Sequence, residues 1–257
     1  VERGAGRLMF FSGPGSATRT HFEHALNMAR GVGDRRSEVQ LLDDLGLLDE
    51  RQGRLDEARI NYESALSVAL EVGDDRLECR AHNGLGTLSV AQGRMEIALE
   101  HLEGALVVAR KLGDRRVEGH ALANLGVLYF EQGRISEARA LYEAVLAIAR
   151  EFGDHFLEAN MLCNLGSLHQ IEGKIPESRS ELEEALGLAR EMGNPSIECI
   201  VLCNLGIVFD SLGLLDQARS QFELAVKIAH ELRQQRSEGQ ALGYLALAHA
   251  KQGRFDD

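Results

Sequence analysis

Four cysteines, Cys79, Cys163, Cys199 and Cys203, and a histidine pair, His21 and His24, are the residues of this 257-residue chain whose types and spacing together suggest a metal site or a nucleophile. Cys199 and Cys203 stand one helical turn apart, and Cys163 precedes Cys203 by 40 residues, so a thiolate cluster for zinc or a redox pair is the chemistry to weigh. No Cys-x-x-Cys spacing accompanies them, and small buried thiols are the commoner use of such residues. His21-Phe22-Glu23-His24 places two imidazoles three apart on a helix, but no third ligand stands near them. Gly13-Pro14-Gly15-Ser16 shares only its glycines with a phosphate loop, because the Lys and hydroxyl that would hold phosphate and metal do not follow. No Ser/His/Asp arrangement can be assembled without arbitrary choices. The sequence therefore points to no catalytic residue, no metal site, no cofactor and no enzyme.

The remaining candidates are periodic, and the period identifies the elements that carry them. Leu-Gly recurs at Leu45-Gly46, Leu85-Gly86, Leu125-Gly126, Leu165-Gly166 and Leu205-Gly206, always 40 residues apart, and weakens to Leu245-Ala246. Gln52-Gly53-Arg54 and its equivalents form a second series. Gly33-Asp34, Gly73-Asp74, Gly113-Asp114, Gly153-Asp154 and Gly193-Asn194 form a third. Each unit has two glycine marks separated by segments of helical periodicity, so each divides into a helix A, near 35–51 in the first full unit, and a helix B, near 55–72. Gly33 suits the left-handed residue that ends a helix, and Asp34 suits the next N-cap. Asn194-Pro195 agrees, since Pro fits a first helical position. Basic residues close helix B at Arg30, Arg110, Lys111, Arg150 and Arg190, where they oppose the negative end of the dipole, and Leu70 departs from that rule.

Composition sets the limits. Lys and Arg total 28 against 40 Asp and Glu, a net charge of −12, and aromatic residues make up only 5%. A mainly β fold is excluded by the shortage of β-branched and aromatic residues. The negative charge opposes nucleic-acid phosphate and anionic lipid alike. No apolar run approaches the roughly 20 residues of a membrane span. The N-terminus lacks a signal peptide's basic and apolar regions. A cytoplasmic protein with neither nucleic-acid nor membrane partners is expected.

Two helices of this length cannot bury their apolar faces alone and must stack on neighbours. Gly46 with Ala58, Gly86 with Ala98 and Gly126 with Ala138 remove bulk where A meets B. Tyr62, Leu102, Tyr142, Leu182 and Phe222 fill the adjoining space, each followed three residues later by Ala or Val. This combination resembles the tetratricopeptide repeat family, and most closely its long-helix, Gly-Asp-punctuated subgroup found in cell-polarity adaptors and bacterial multidomain signalling proteins. The resemblance implies an all-α, right-handed superhelical solenoid of antiparallel helix pairs. A single solenoid over 1–257 is expected: a degenerate partial repeat at 1–33, five full repeats over 34–233 and a truncated repeat at 234–257.

In that family one face of helix A lines the concave surface. With Leu45 as position 7, positions 2, 6, 9 and 13 lie opposite the packed face at about 100° per residue. The candidate peptide-binding residues drawn from those positions are Asp44, Arg80, His120, Asn124, Asn160, Asn164, Ile200, Asn204, Ile207 and Tyr244. Asn124, Asn164 and Asn204 form a ladder at one position, although Asn costs a helix interior roughly half a kcal/mol against Ala. Their amides could pair with the main chain of an extended peptide, as this position does in related adaptors, or each could bridge to the neighbouring repeat. The Lys that recognises acidic chaperone tails is absent from position 5. Asp43, Asp44 and Glu50 put acid at the N-terminal part of the groove, and Ile200, Ile207, Tyr244 and Leu247 make its C-terminal part apolar. The expected function is a protein-interaction module that binds an extended peptide or partner segment and belongs to a larger signalling or regulatory protein. The alternative is a ligand-sensing domain that controls an attached effector enzyme. Leu242, Leu245, Ala246 and His249 lack a following helix B, so continuation past Asp257 or self-association through this helix is also expected.

Overall fold

Residues 15–251 are described by a computed structural model, with side chains from residue 18 onward. Gly13-Pro14 and Asp257, named above, lie outside the described residues. Within these bounds the chain forms α1 Gly15–Val32, α2 Arg35–Arg51, α3 Leu55–Val72, α4 Asp75–Ala91, α5 Met95–Leu112, α6 Arg115–Glu131, α7 Ile135–Phe152, α8 His155–Ile171, α9 Ile175–Glu191, α10 Pro195–Ser211, α11 Leu215–Glu231 and α12 Gln235–Lys251. No strand occurs among the described residues. Even-numbered helices are the A helices and odd-numbered ones the B helices, at the expected boundaries.

The turns are made by capping chemistry. At the A-to-B turn Gly53 stands at φ 74°, its N–H donating to Glu50 O at 3.0 Å while Arg54 N–H donates to Asp49 O at 2.9 Å. This pair of bonds satisfies carbonyls that the end of α2 would otherwise leave open. At the B-to-A turn Asp34 N–H donates to Ala29 O at 2.9 Å, and the Asp34 carboxylate accepts from Ser37 N–H at 3.1 Å. One residue thus closes one helix and opens the next. Asp74, Asp114, Asp154 and Asn194 cap α4, α6, α8 and α10 in the same way.

The chain divides into two compact units, 1–141 and 142–257. In unit 1, Tyr62 is buried from α3 against the Gly46 gap of α2, where an added Cβ would stand 2.7 Å from its ring. The same ring leaves 2.7 Å for a Cβ at Gly84 of the following repeat, so one tyrosine requires two glycines. In unit 2, Leu182 fills the corresponding space beside Gly166, and Phe222 that beside Gly206. Ser178 stands where the other repeats have Ala58, Ala98, Ala138 and Ala218. It is fully buried and donates its hydroxyl to Gly166 O at 2.6 Å, so the polar atom carries no desolvation penalty.

Candidate functional site

Within each unit successive A helices touch one another directly, whereas successive B helices stand farther apart. The A-helix face is therefore the inner face of each unit. Along it exposure is graded: the residues at position 13, Arg51, Ala91, Glu131, Ile171, Ser211 and Lys251, are all exposed, and those at positions 6 and 9 are largely half-buried. Positions 6 and 9 form a floor, and positions 2 and 13 flank it.

In unit 1 this floor is charged at one end and neutral at the other. Asp44 is buried, which departs from the open acid expected at this position. Arg80 explains the difference, because its Nη2 donates to Asp44 Oδ1 at 2.9 Å while its Nε donates to the buried Asp43. Burial alone would lower the Arg80 pKa, but the two carboxylates outweigh it and hold the guanidinium above its ordinary value. The expected acidic end of the groove is thus two acids already shared by one base. Asn124 is half-buried, and its Nδ2 donates to Asn83 Oδ1 at 2.9 Å in the preceding repeat. His120 is exposed on the flank.

In unit 2, Asn204 Nδ2 donates to Cys163 Sγ and to Ser167 Oγ, both at 3.2 Å and both in the preceding repeat. Asn164 is half-buried and has no hydrogen bond among the described residues. Asn160 Nδ2 returns to Phe156 O of its own helix at 2.7 Å. Ile200 is exposed, Ile207 is half-buried, and the Tyr244 ring stacks on Phe222 with centroids 5.5 Å apart. Two rungs of the asparagine ladder, Asn124 and Asn204, thus bridge repeats.

A sequence profile described as tetratricopeptide repeat matches residues 10–71, 77–151 and 157–231, most of the chain. The chain belongs to the tetratricopeptide repeat family. No curated protein matches this tetratricopeptide repeat chain in sequence. Its fold is similar to that of NprR solved in complex with its cognate peptide NprX, with a TM-score of 0.75 and 20% identity over 100% of this chain and 74% of that one. It is similar to a Rap protein complexed with competence and sporulation factor, with a TM-score of 0.71 and 17% identity over 97% of this chain and 74% of that one. It is also similar to a signal transduction ATPase with numerous domains from Pyrococcus horikoshii, described as having a tetratricopeptide repeat sensor. That likeness has a TM-score of 0.63 and 20% identity over 93% of this chain, which spans 38% of that one.

The thiols of this tetratricopeptide repeat chain act as hydrogen-bonding groups inside the stack. Cys79 Sγ and its equivalent 120 residues later, Cys199 Sγ, each donate to a B-helix carbonyl at 3.4 Å, those of Ala105 and Ala225. Burial, aided by Glu78, pushes the Cys79 thiol up to about 11, and burial pushes Cys163 up to about 11. At such values the thiolate that binds metal or attacks electrophiles is scarce at neutral pH. Among the described residues no group of three or more His, Cys, Asp or Glu could hold a metal ion, His21 and His24 included. Among them no helix is long and apolar enough to cross a membrane.

A regular ion pair escaped the sequence reading. Arg30–Glu38, Arg110–Glu118, Arg150–Glu158 and Arg190–Glu198 join the ends of four B helices to the next A helix at 2.8 to 2.9 Å, His230–Glu238 continues the series, and α3 departs from it with Leu70. The Glu recurs every 40 residues and its basic partner does so except at Leu70, and their constant separation of eight was the available signal.

Proposed function

We propose that the chain is a peptide-binding regulatory module, taking an extended segment of a protein or peptide partner along the inner face of its A helices. The observation that carries this reading is the half-buried Asn164 amide. It lies on the floor of that face with both N–H groups and its carbonyl oxygen unused among the described residues, and an extended main chain offers matching groups. Similarity to NprR with NprX and to Rap with competence and sporulation factor supports the choice of a peptide. Asn160, Asn124, Asn204, Arg80, Asp44, His120, Ile200, Ile207 and Tyr244 complete the proposed surface, the bonded asparagines through the acceptor atoms their bridges leave open. The module works without catalysis or cofactor, in the cytoplasm, as part of a signalling or regulatory protein, and binds neither nucleic acid nor membrane.

Asn164→Ala is the cleanest test, since Asn124→Ala and Asn204→Ala also remove bonds between repeats. Losing one neutral hydrogen bond of about 1 kcal/mol should weaken a selected peptide about fivefold, measured by fluorescence anisotropy, while helicity and melting stay unchanged. Undiminished affinity would remove Asn164 from the site. Self-association through α12, where Leu242 and Ala246 are exposed, is proposed alongside it, and light scattering independent of concentration would sink that part.

A further inference from the structure

The two inner faces differ in charge. Asp44, Arg51, Arg80 and Glu131 lie on that of unit 1. On that of unit 2, Lys251 is the one charged residue among positions 2, 6, 9 and 13 of α8, α10 and α12, and its Nζ is already 2.5 Å from Asp210 Oδ2. Neutrality there is not inherited from the surrounding sequence. Residues 154–193 alone hold 8 acidic residues against 3 basic ones, with Glu177, Glu181, Glu183 and Glu184 all on the B helix α9. The inner face carries exposed aliphatic side chains instead: Ile171 is 61% exposed, Ile200 51% and Leu247 62%. A ligand charge brought against them would lose hydration and meet no free counter-charge. An aliphatic side chain would release water from both surfaces.

We propose that the inner face of unit 2 takes an uncharged, apolar stretch of extended peptide, its main chain held by Asn164 and its aliphatic side chains lying against Ile200, Ile207 and Leu247. This rests on the peptide-groove reading and names the chemistry of what fills it. Packed helices lie roughly 8–10 Å apart, so three A helices span roughly 20 Å, which an extended chain crosses in about six residues.

The test selects binders to the full chain from a phage-displayed library of random eight-residue segments. Enriched segments should be rich in Val, Leu and Ile and free of charge. As synthetic peptides with blocked ends they should bind equally at low and high salt. Ile200→Glu and Leu247→Glu change exposed positions and should leave the circular dichroism spectrum intact while weakening binding at least tenfold. Lys111→Gln, an exposed change on the B helix α5 of unit 1, should leave binding within twofold. Enrichment of charged segments, or binding that survives both Glu variants, would overturn this inference and leave the groove reading standing. Enrichment of no segment at all would overturn both.

Discussion

In unit 1 the guanidinium of Arg36 lies 3.2 Å from Asp74, and that of Arg76 2.5 Å from Asp114, each reaching from the start of one A helix to the N-cap of the next. At the equivalent place in unit 2, Gln234 Nε2 donates to Ser196 Oγ at 2.9 Å, and the residue that corresponds to Arg36 is the exposed Phe156, with Asn194 as the next cap. Cap and partner change together. An anionic cap leaves an outer oxygen that a guanidinium can share, and an amide cap leaves none that requires a charge. The same contrast recurs on the inner face, where Arg80 joins Asp43 and Asp44 in unit 1 and Asn204 joins Cys163 and Ser167 in unit 2. One backbone period is thus compatible with two kinds of inter-repeat contact, and the neutral kind leaves an apolar surface free of competing charge.

The largest expected effect comes from breaking the charged contact. Arg80→Ala leaves two buried carboxylates without their base, and roughly 2–3 kcal/mol should be lost. This is below the 3–5 of a fully buried pair because the Arg80 side chain is 38% exposed. Denaturant unfolding measures the loss, and hydrogen exchange should place it in α2 and α4. Asn204→Ala in unit 2 should cost only about 1 kcal/mol. Equal losses would mean that charge gives unit 1 nothing that amides do not give unit 2.

The second effect concerns packing. Tyr62 in unit 1 lies between two glycines, but Phe222 in unit 2 lies between Gly206 and the stacked Tyr244 ring, so it has less room to yield. Gly206→Ala should therefore cost about 2 kcal/mol, toward the middle of the range for overpacking, and more than Gly46→Ala. If calorimetry orders the two variants the other way, the stacked ring is not what confines Phe222.

How far these contrasts could be read in the sequence depends on their range. Helix limits at 35–51 and 55–72 were legible because Gly and Asp act through local backbone chemistry and recur without insertion. The partners of the inner face were not. Asp44 reads as an open acid until Arg80, one repeat away, is placed beside it. Asn124, Asn164 and Asn204 look identical in sequence and differ only in what the preceding repeat presents: Asn83 for the first and the Cys163–Ser167 pair for the third. Gly84 breaks the ladder for a reason equally remote, the Tyr62 ring of the preceding helix pair.

A smaller effect, of opposite sign, is expected at the last turn of unit 2. Arg233 adopts φ 54° where the preceding B-to-A turns have Gly33, Gly73, Gly113, Gly153 and Gly193. A side chain in the left-handed region costs roughly 1 kcal/mol relative to Gly. Arg233→Gly should recover most of that and raise the melting temperature, bringing this turn to the standard of unit 1. A lower melting temperature would show that the arginine side chain contributes more than its backbone strain costs.

The smallest effect is a response to pH confined to unit 1. His82 on α4 and His101 on α5 bring their Nδ1 atoms to 3.1 Å, a distance at which one ring donates and the other accepts. Burial, reinforced at His82 by the neighbouring imidazole, lowers both pKa values, although Glu100 faces each ring and Glu63 of α3 faces His101. A depressed folded-state pKa means that the unfolded chain binds protons first as pH falls. The pair therefore contributes its full stability above the ordinary value near 6.5 and loses it as pH drops through that value toward the folded-state ones. In unit 2 the half-buried His169 faces Glu181 at 2.8 Å, so acidification brings no two imidazolium charges together there. Between pH 7.5 and 5.5, hydrogen exchange in α4 and α5 should accelerate relative to that in α8 and α9. His101→Gln should remove most of the difference, because its amide can still bond His82 without taking a proton. The expected change is under about 1 kcal/mol, so the comparison of units within one sample is the sensitive measurement. Acceleration of equal size in both units, or a variant that retains the full response, would show that the histidine contact does not distinguish them.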